Sequence, residues 1–130
     1  MPRILVVEDE ELVRITIERL LVMEGHEVVT AANGLEALEA AKTGTFELVI
    51  TDLVMPEKQG IETIIDLKAQ SPGSKIIAIS GEGKSNVSIY LDLARKLGAA
   101  ATLTKPFGRT ELLGTIEDVL HPRDSEAEER

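Results

Sequence analysis

Along this chain, short β-branched runs alternate with segments of helical period, and no other feature of the sequence constrains the fold as strongly. Arg3–Val7, Glu27–Ala31, Leu48–Thr51, Lys75–Ile79 and Ala101–Thr104 read as strands. The first, third and fourth are nearly all apolar, the pattern of strands buried on both faces. Between them Val13, Ile17, Leu20 and Leu21 recur at i, i+4, i+7 and i+8, and Val87, Tyr90, Leu91, Ala94 and Leu97 keep a similar period. These spacings predict helices with one buried face. Leu35, Leu38 and Ala41 predict the second helix, Ile61, Ile64 and Ile65 the third, and Leu112, Leu113, Ile116, Val119 and Leu120 the fifth. Gly25, Asn33-Gly34, Gly44, Pro72-Gly73 and Gly98 fall between the periodic segments, where turns and helix C-terminal glycines belong.

Five βα units in strict alternation imply a parallel sheet with right-handed crossovers and helices on both faces, a doubly wound α/β domain. A length of 130 residues, 43% of them hydrophobic, suits one such domain. The domain is expected over residues 1–120. Residues 121–130, from His121 to Arg130, lack a periodic apolar face and are expected to form an acidic, disordered tail at a natural end of the chain. The absence of Cys excludes zinc-finger sites, thiol catalysis and a disulfide scaffold. No run approaches the ~18 apolar residues of a membrane span. The N-terminus meets an acidic cluster too soon for a signal peptide, so a cytoplasmic protein is expected. With 14 basic against 23 acidic residues the formal charge is −9, which opposes nucleic acid and anionic membranes as partners. A cation is the natural small partner.

Ligands of open α/β sheets bind beyond the carboxyl ends of the strands. Here the first strand leads into Glu8-Asp9, the third ends in Asp52, the fourth ends in Ser80 and the fifth runs into Lys105-Pro106. Three carboxylates on one edge repel one another, and a hard divalent cation relieves that repulsion. An all-oxygen donor set suits Mg²⁺, with Mn²⁺ as a substitute. Metals that prefer imidazole fit less well, because His26 and His121 lie away from this edge. Glu10 and Glu11 read as solvated residues at the start of the first helix, favoured by the positive end of its dipole. An Asp beside a divalent cation is a competent nucleophile towards phosphorus, and Asp52 is the best placed. Phosphoryl transfer needs positioning and charge neutralisation more than a base, and Ser80 and Lys105 supply both. An average X–Pro bond favours trans, and the isomer of Lys105–Pro106 stays open at this level.

Taken together, Ile4-Leu5-Val6-Val7-Glu8-Asp9, Asp52-Leu53-Val54-Met55-Pro56 with Gly60, Ser80-Gly81 after Ile76–Ile79, and Lys105-Pro106-Phe107 resemble the receiver domain of two-component response regulators. The resemblance runs from Arg3 to Leu120. It implies a flavodoxin-like sheet of order 2-1-3-4-5. It further implies that Asp52 is the phosphoacceptor, that Glu8, Asp9, Asp52 and the Val54 backbone carbonyl bind Mg²⁺, and that Ser80 and Lys105 contact the phosphoryl group. The donor it implies is a phosphohistidine on a sensor kinase or phosphotransfer protein. The readout would be a protein partner on the fourth helix, fifth strand and fifth helix. Such a domain assists its own phosphorylation without being a conventional enzyme.

Three features depart from the usual pattern: Glu8 replaces a frequent Asp, Thr102 stands where many receivers carry Tyr or Phe, and the Ser80–Lys105 stretch is longer than usual. Because Thr102 is too small to swing as an aromatic lever, the Gly81–Gly83 loop and the start of the fourth helix are expected to carry more of any switch. A flavin-binding relative of the fold is disfavoured, because the acidic loop Glu8–Glu11 would repel a phosphate. A haloacid-dehalogenase phosphatase is disfavoured too, since Val54 stands where its general acid would be. The remaining alternative is a pseudo-receiver, an interaction domain that never takes up phosphate.

Overall fold

The computed structural model describes residues 2–53, 60–81 and 87–121, and the side chains of residues 60–61 and 87–91 are outside the description. Strands β1 (Arg3–Val7), β2 (Glu27–Ala31), β3 (Leu48–Asp52), β4 (Lys75–Ser80) and β5 (Ala101–Thr104) alternate with helices α1 (Glu11–Met23), α2 (Gly34–Ala41), α3 (Gly60–Gln70), α4 (Val87–Lys96) and α5 (Arg109–Leu120). The sheet is parallel throughout, in the order β2-β1-β3-β4-β5. This is the doubly wound, flavodoxin-like arrangement that the βα alternation and the family resemblance predict.

Side-chain alternation along the strands divides the core in two. Ile4, Val6, Leu48, Ile50, Ile77 and Ile79 point to one face, where they meet Ile17 and Leu21 of α1 and Leu112, Ile116 and Val119 of α5. Leu5, Val7, Val49, Ile76 and Ala78 point to the other, against Ala37 and Ala41 of α2, Ile64 and Leu67 of α3 and Ala94 of α4. Right-handed crossovers explain this split. The chain steps one way from β1 to β2 and the opposite way from β2 through β5, so α1 falls on one face and α2, α3 and α4 on the other. The first step away from β1 and the later step past it leave a crevice at the carboxyl ends of β1 and β3.

The ends of the elements follow local chemistry. Asn33 caps α2 by accepting from the Glu36 N–H at 2.9 Å, and the Glu36 carboxylate accepts from the Ala32 N–H at 2.8 Å. Gly25 and Gly98 follow α1 and α4 with φ of 91° and 116°, a region that only glycine enters cheaply.

Two details differ from the sequence reading. β3 and β4 each run one residue further, because Asp52 pairs with Ile79 and Ser80 with Thr104 in the ladder. The buried faces of α2 and α3 are also rotated from the expected ones: Leu35 is 55% exposed and Ile65 47% exposed. Small Ala37 and Ala41 let α2 approach the sheet closely, and Ile64 with Leu67 fills the space beneath α3. Val54, Met55, Pro56, the Glu82–Gly83 loop and the tail from Pro122 lie outside the described residues.

Ile50 is fully buried in the central strand, whereas Leu12 at the start of α1 is 81% exposed. Ile50→Ala should therefore lower unfolding free energy by about 2–5 kcal/mol. Leu12→Ala should change it by less than about 0.5 kcal/mol. Chemical denaturation of both variants checks the difference.

Candidate functional site

The backbone ladders continue past the strand ends and aim the polar residues at the crevice. The Glu8 N–H donates to the Ala31 carbonyl at 3.0 Å, Leu53 N–H to Ile79 at 2.8 Å, and Lys105 N–H to Ser80 at 2.8 Å. Residues from β1, β3, β4 and β5 thus arrive at one edge with little backbone freedom. The Arg14 guanidinium, from the first turns of α1, donates to the Glu8 carbonyl at 3.0 Å and braces that corner.

Glu8 and Asp52 are almost wholly buried, at 1% and 5% exposure, while Asp9 faces solvent. One carboxylate oxygen from each of Glu8, Asp9 and Asp52 lies within 4.8 Å of the others. The Lys105 ammonium enters this cluster, 2.9 Å from Asp52 Oδ2, 2.9 Å from Glu8 Oε1 and 3.2 Å from Glu10 Oε1. The 2.9 Å ion pair with Lys105 is what compensates the buried Glu8 Oε1. Glu8 Oε2 accepts from the Glu10 N–H at 3.1 Å. Ser80 is fully buried, and among the described residues its hydroxyl has no hydrogen-bond partner. The Lys105–Pro106 peptide bond is cis.

A single ammonium cannot neutralise four carboxylates, and the imbalance is visible in Glu8. Burial, and then the Asp52 charge, push the Glu8 carboxyl from 4.5 up to about 7, against the opposing pull of Lys105 and the Glu10 N–H. Burial disfavours the Lys105 ammonium as well, but its contacts with Glu8 and Asp52 outweigh that and raise its pKa above the ordinary 10.5. The oxygen donors of Glu8, Asp9 and Asp52 form an anionic, all-oxygen set that fits a hard divalent cation. Glu8 joins the cluster despite its longer side chain.

The structure therefore brings together Glu8, Asp9, Asp52 and Lys105, with Ser80 at the end of the adjacent strand, while Val54 lies outside the described residues. Sequence reading missed Glu10. It is solvent-exposed, as expected, but its carboxylate is also bound to a lysine 95 positions away, a separation at which no periodicity carries information. Arg14 was likewise without a sequence signal. Thr102 accepts a 2.8 Å hydrogen bond from Arg95 of α4.

A five-stranded doubly wound sheet with a carboxylate cluster and a lysine at its switch point defines a small α/β regulatory domain. Residues 4–117 match the response regulator receiver domain, and the chain belongs to that family. It is a receiver domain of two-component signalling, a class that works with histidine kinases and downstream effectors and is not a class of conventional enzymes. The chain is 36% identical to the chemotaxis protein CheY of Bacillus subtilis over 120 residues, covering 92% of this chain and 98% of that protein. It is 35% identical to the sensor kinase CckA of Brucella abortus, covering 93% of this chain but spanning only 13% of that much longer relative. Among solved structures, the response regulator TrrA of Thermotoga maritima, in complex with Mg²⁺-BeF, superposes with a TM-score of 0.79 at 35% identity, over 92% of this chain and all of that one, 100%. No helix among the described residues is long and apolar enough to cross a membrane.

The raised Glu8 pKa carries a stability consequence for the metal-free protein. As pH rises from 4.5 to about 7 the unfolded chain releases the Glu8 proton while the folded chain keeps it, so stability falls across that window. The slope from one such group is at most about 1.4 kcal/mol per pH unit. The Lys105 contribution is fully present below 10.5 and does not bend this window. Glu8→Gln should flatten the fall, as measured by denaturation in the presence of a chelator across this range. Parallel pH profiles for the variant and the wild type would contradict the assignment.

Proposed function

We propose that this receiver takes a phosphoryl group onto Asp52 from a phosphohistidine and thereby changes its affinity for a protein partner. The observation that carries this reading is the arrangement around Asp52: a buried carboxylate at the end of β3, held at 2.9 Å by the Lys105 ammonium and gathered with Glu8 and Asp9. An Asp52 oxygen attacks phosphorus, the new O–P bond forms as the N–P bond of the donor breaks, and the electron pair returns to the donor imidazole. Lys105 neutralises charge on the phosphoryl oxygens, and the unpartnered Ser80 hydroxyl donates to one of them. Glu8, Asp9 and Asp52 would hold Mg²⁺, or Mn²⁺ in its place, with the Val54 carbonyl as a further ligand. The ion's contribution is to offset the carboxylate repulsion and the charge of the phosphoryl group.

A protein donor is supported by an open apolar groove of about 550 Å³ between α1 and the segment after β5. Leu12, Ile17, Pro106, Phe107 and Leu112 line it together with Lys105. An apolar side of a histidine-bearing helix seated there would place its phosphorus beside Asp52. For the output, the α4, β5 and α5 face is the proposed surface. The Arg95–Thr102 hydrogen bond joins α4 to β5 there, in place of a mobile aromatic.

Incubation with a small phosphodonor and Mg²⁺ should add one phosphoryl mass to the wild type and none to Asp52→Asn. Lys105→Ala should keep the nucleophile but lose rate or signal transmission. Wild type that gains no mass from any donor would make the chain a pseudo-receiver, and labelling of Asp52→Asn at wild-type levels would move the nucleophile elsewhere. Mg²⁺ should also raise the melting temperature of the wild type in a concentration-dependent way, and Asp9→Asn should blunt that rise.

A further inference from the structure

Glu10 occupies the N-cap of α1, with φ −80° and ψ 115°, yet its side chain makes no capping bond. A side-chain oxygen at this position ordinarily accepts from one of the free N–H groups of the first turn. Here the carboxylate reaches across the crevice to the Lys105 ammonium instead, while its own backbone N–H holds Glu8 Oε2. Glu10 is thus bonded to both a proposed ligand of the cation and the cation's competitor.

Of the three carboxylates around Lys105, Glu8 and Asp52 belong to the cluster that fits a divalent ion, and Glu10 does not. Its side chain is 64% exposed, set at the outer rim of the crevice. The Lys105 backbone is pinned to Ser80, so only the ammonium end of the side chain is free to shift. An ammonium and a divalent cation cannot share the same two carboxylates without strong like-charge repulsion. An acceptor must therefore receive the ammonium once those two are engaged, and Glu10 is already within bonding distance.

We propose that Glu10 is a positioning residue for Lys105, whose carboxylate retains the ammonium when a divalent cation takes the oxygens of Glu8 and Asp52. The inference rests on the cation reading of that cluster and adds to it a defined place for the displaced lysine. It makes Glu10 a contributor to cation affinity without being a ligand.

Mg²⁺ affinity, measured by calorimetry or amide shift titration on wild type, Glu10→Gln, Lys105→Met and the double variant, tests it. Loss of a nearby negative charge weakens cation binding in any background. Retention of Lys105 by Glu10 predicts that Glu10→Gln weakens binding more with Lys105 present than with Met there, by roughly two- to fivefold, the range of a partly exposed ion pair. Equal weakening in the two backgrounds, or tighter binding by Glu10→Gln, overturns the inference while leaving the cation site intact. Wild type that binds no Mg²⁺ removes the cation reading itself, and this inference with it. Should Lys105→Met fail to fold, the Lys105 ammonium signal of the Mg²⁺-saturated protein decides: slow hydrogen exchange in wild type and its loss in Glu10→Gln are expected, and an unchanged signal overturns the inference.

Discussion

Mutual repulsion among Glu8, Asp9 and Asp52, answered in this structure by the Lys105 ammonium, is the constraint on which the rest of the molecule depends. Carboxylates this close, two of them buried, would ordinarily move apart or protonate, and the Glu8 carboxyl is pushed up to about 7. They stay together because strand ladders fix the backbones of Glu8 and Asp52 and Lys105 is delivered from the end of β5. An edge held under this tension is a receptor for positive charge.

Holding such a site needs a stiff platform, and the two apolar layers provide one. Strands β1, β3 and β4 bury side chains on both faces, so a shift of any of them would disturb packing against helices above and below. The acidic corner is further tied by Arg14 to the Glu8 carbonyl and by the Glu10 N–H to the Glu8 carboxylate. The first turn of α1 is consequently part of the site. At the far side of the sheet the Arg95–Thr102 bond gives the α4–β5 junction a polar connection.

Much of this was legible in the chain itself. Apolar runs such as Ile4–Val7 and Ile76–Ile79 read as strands buried on both faces, and turn residues marked their limits closely enough that β3 and β4 differ from expectation by one residue. The polar residues that follow those runs fell on one edge as soon as the strands were taken to be parallel. Periodicity was less dependable for the short helices. Leu35 and Ile65 match an apolar spacing but face outward, because the depth at which a helix sits depends on the size of its neighbours, and Ala37 and Ala41 bring α2 in close.

The sequence by itself determined the alternation of elements, the handedness of their connections and the kinds of charge at each strand end, since all of these follow from local pattern and steric rules. Tertiary structure alone decided which charges touch. Glu10 and Lys105 are 95 residues apart, and their contact exists because the parallel sheet sets the carboxyl ends of β1 and β5 on the same edge. Local propensity carries no information about such a meeting. It depends on strand order, on register and on the reach of one lysine side chain.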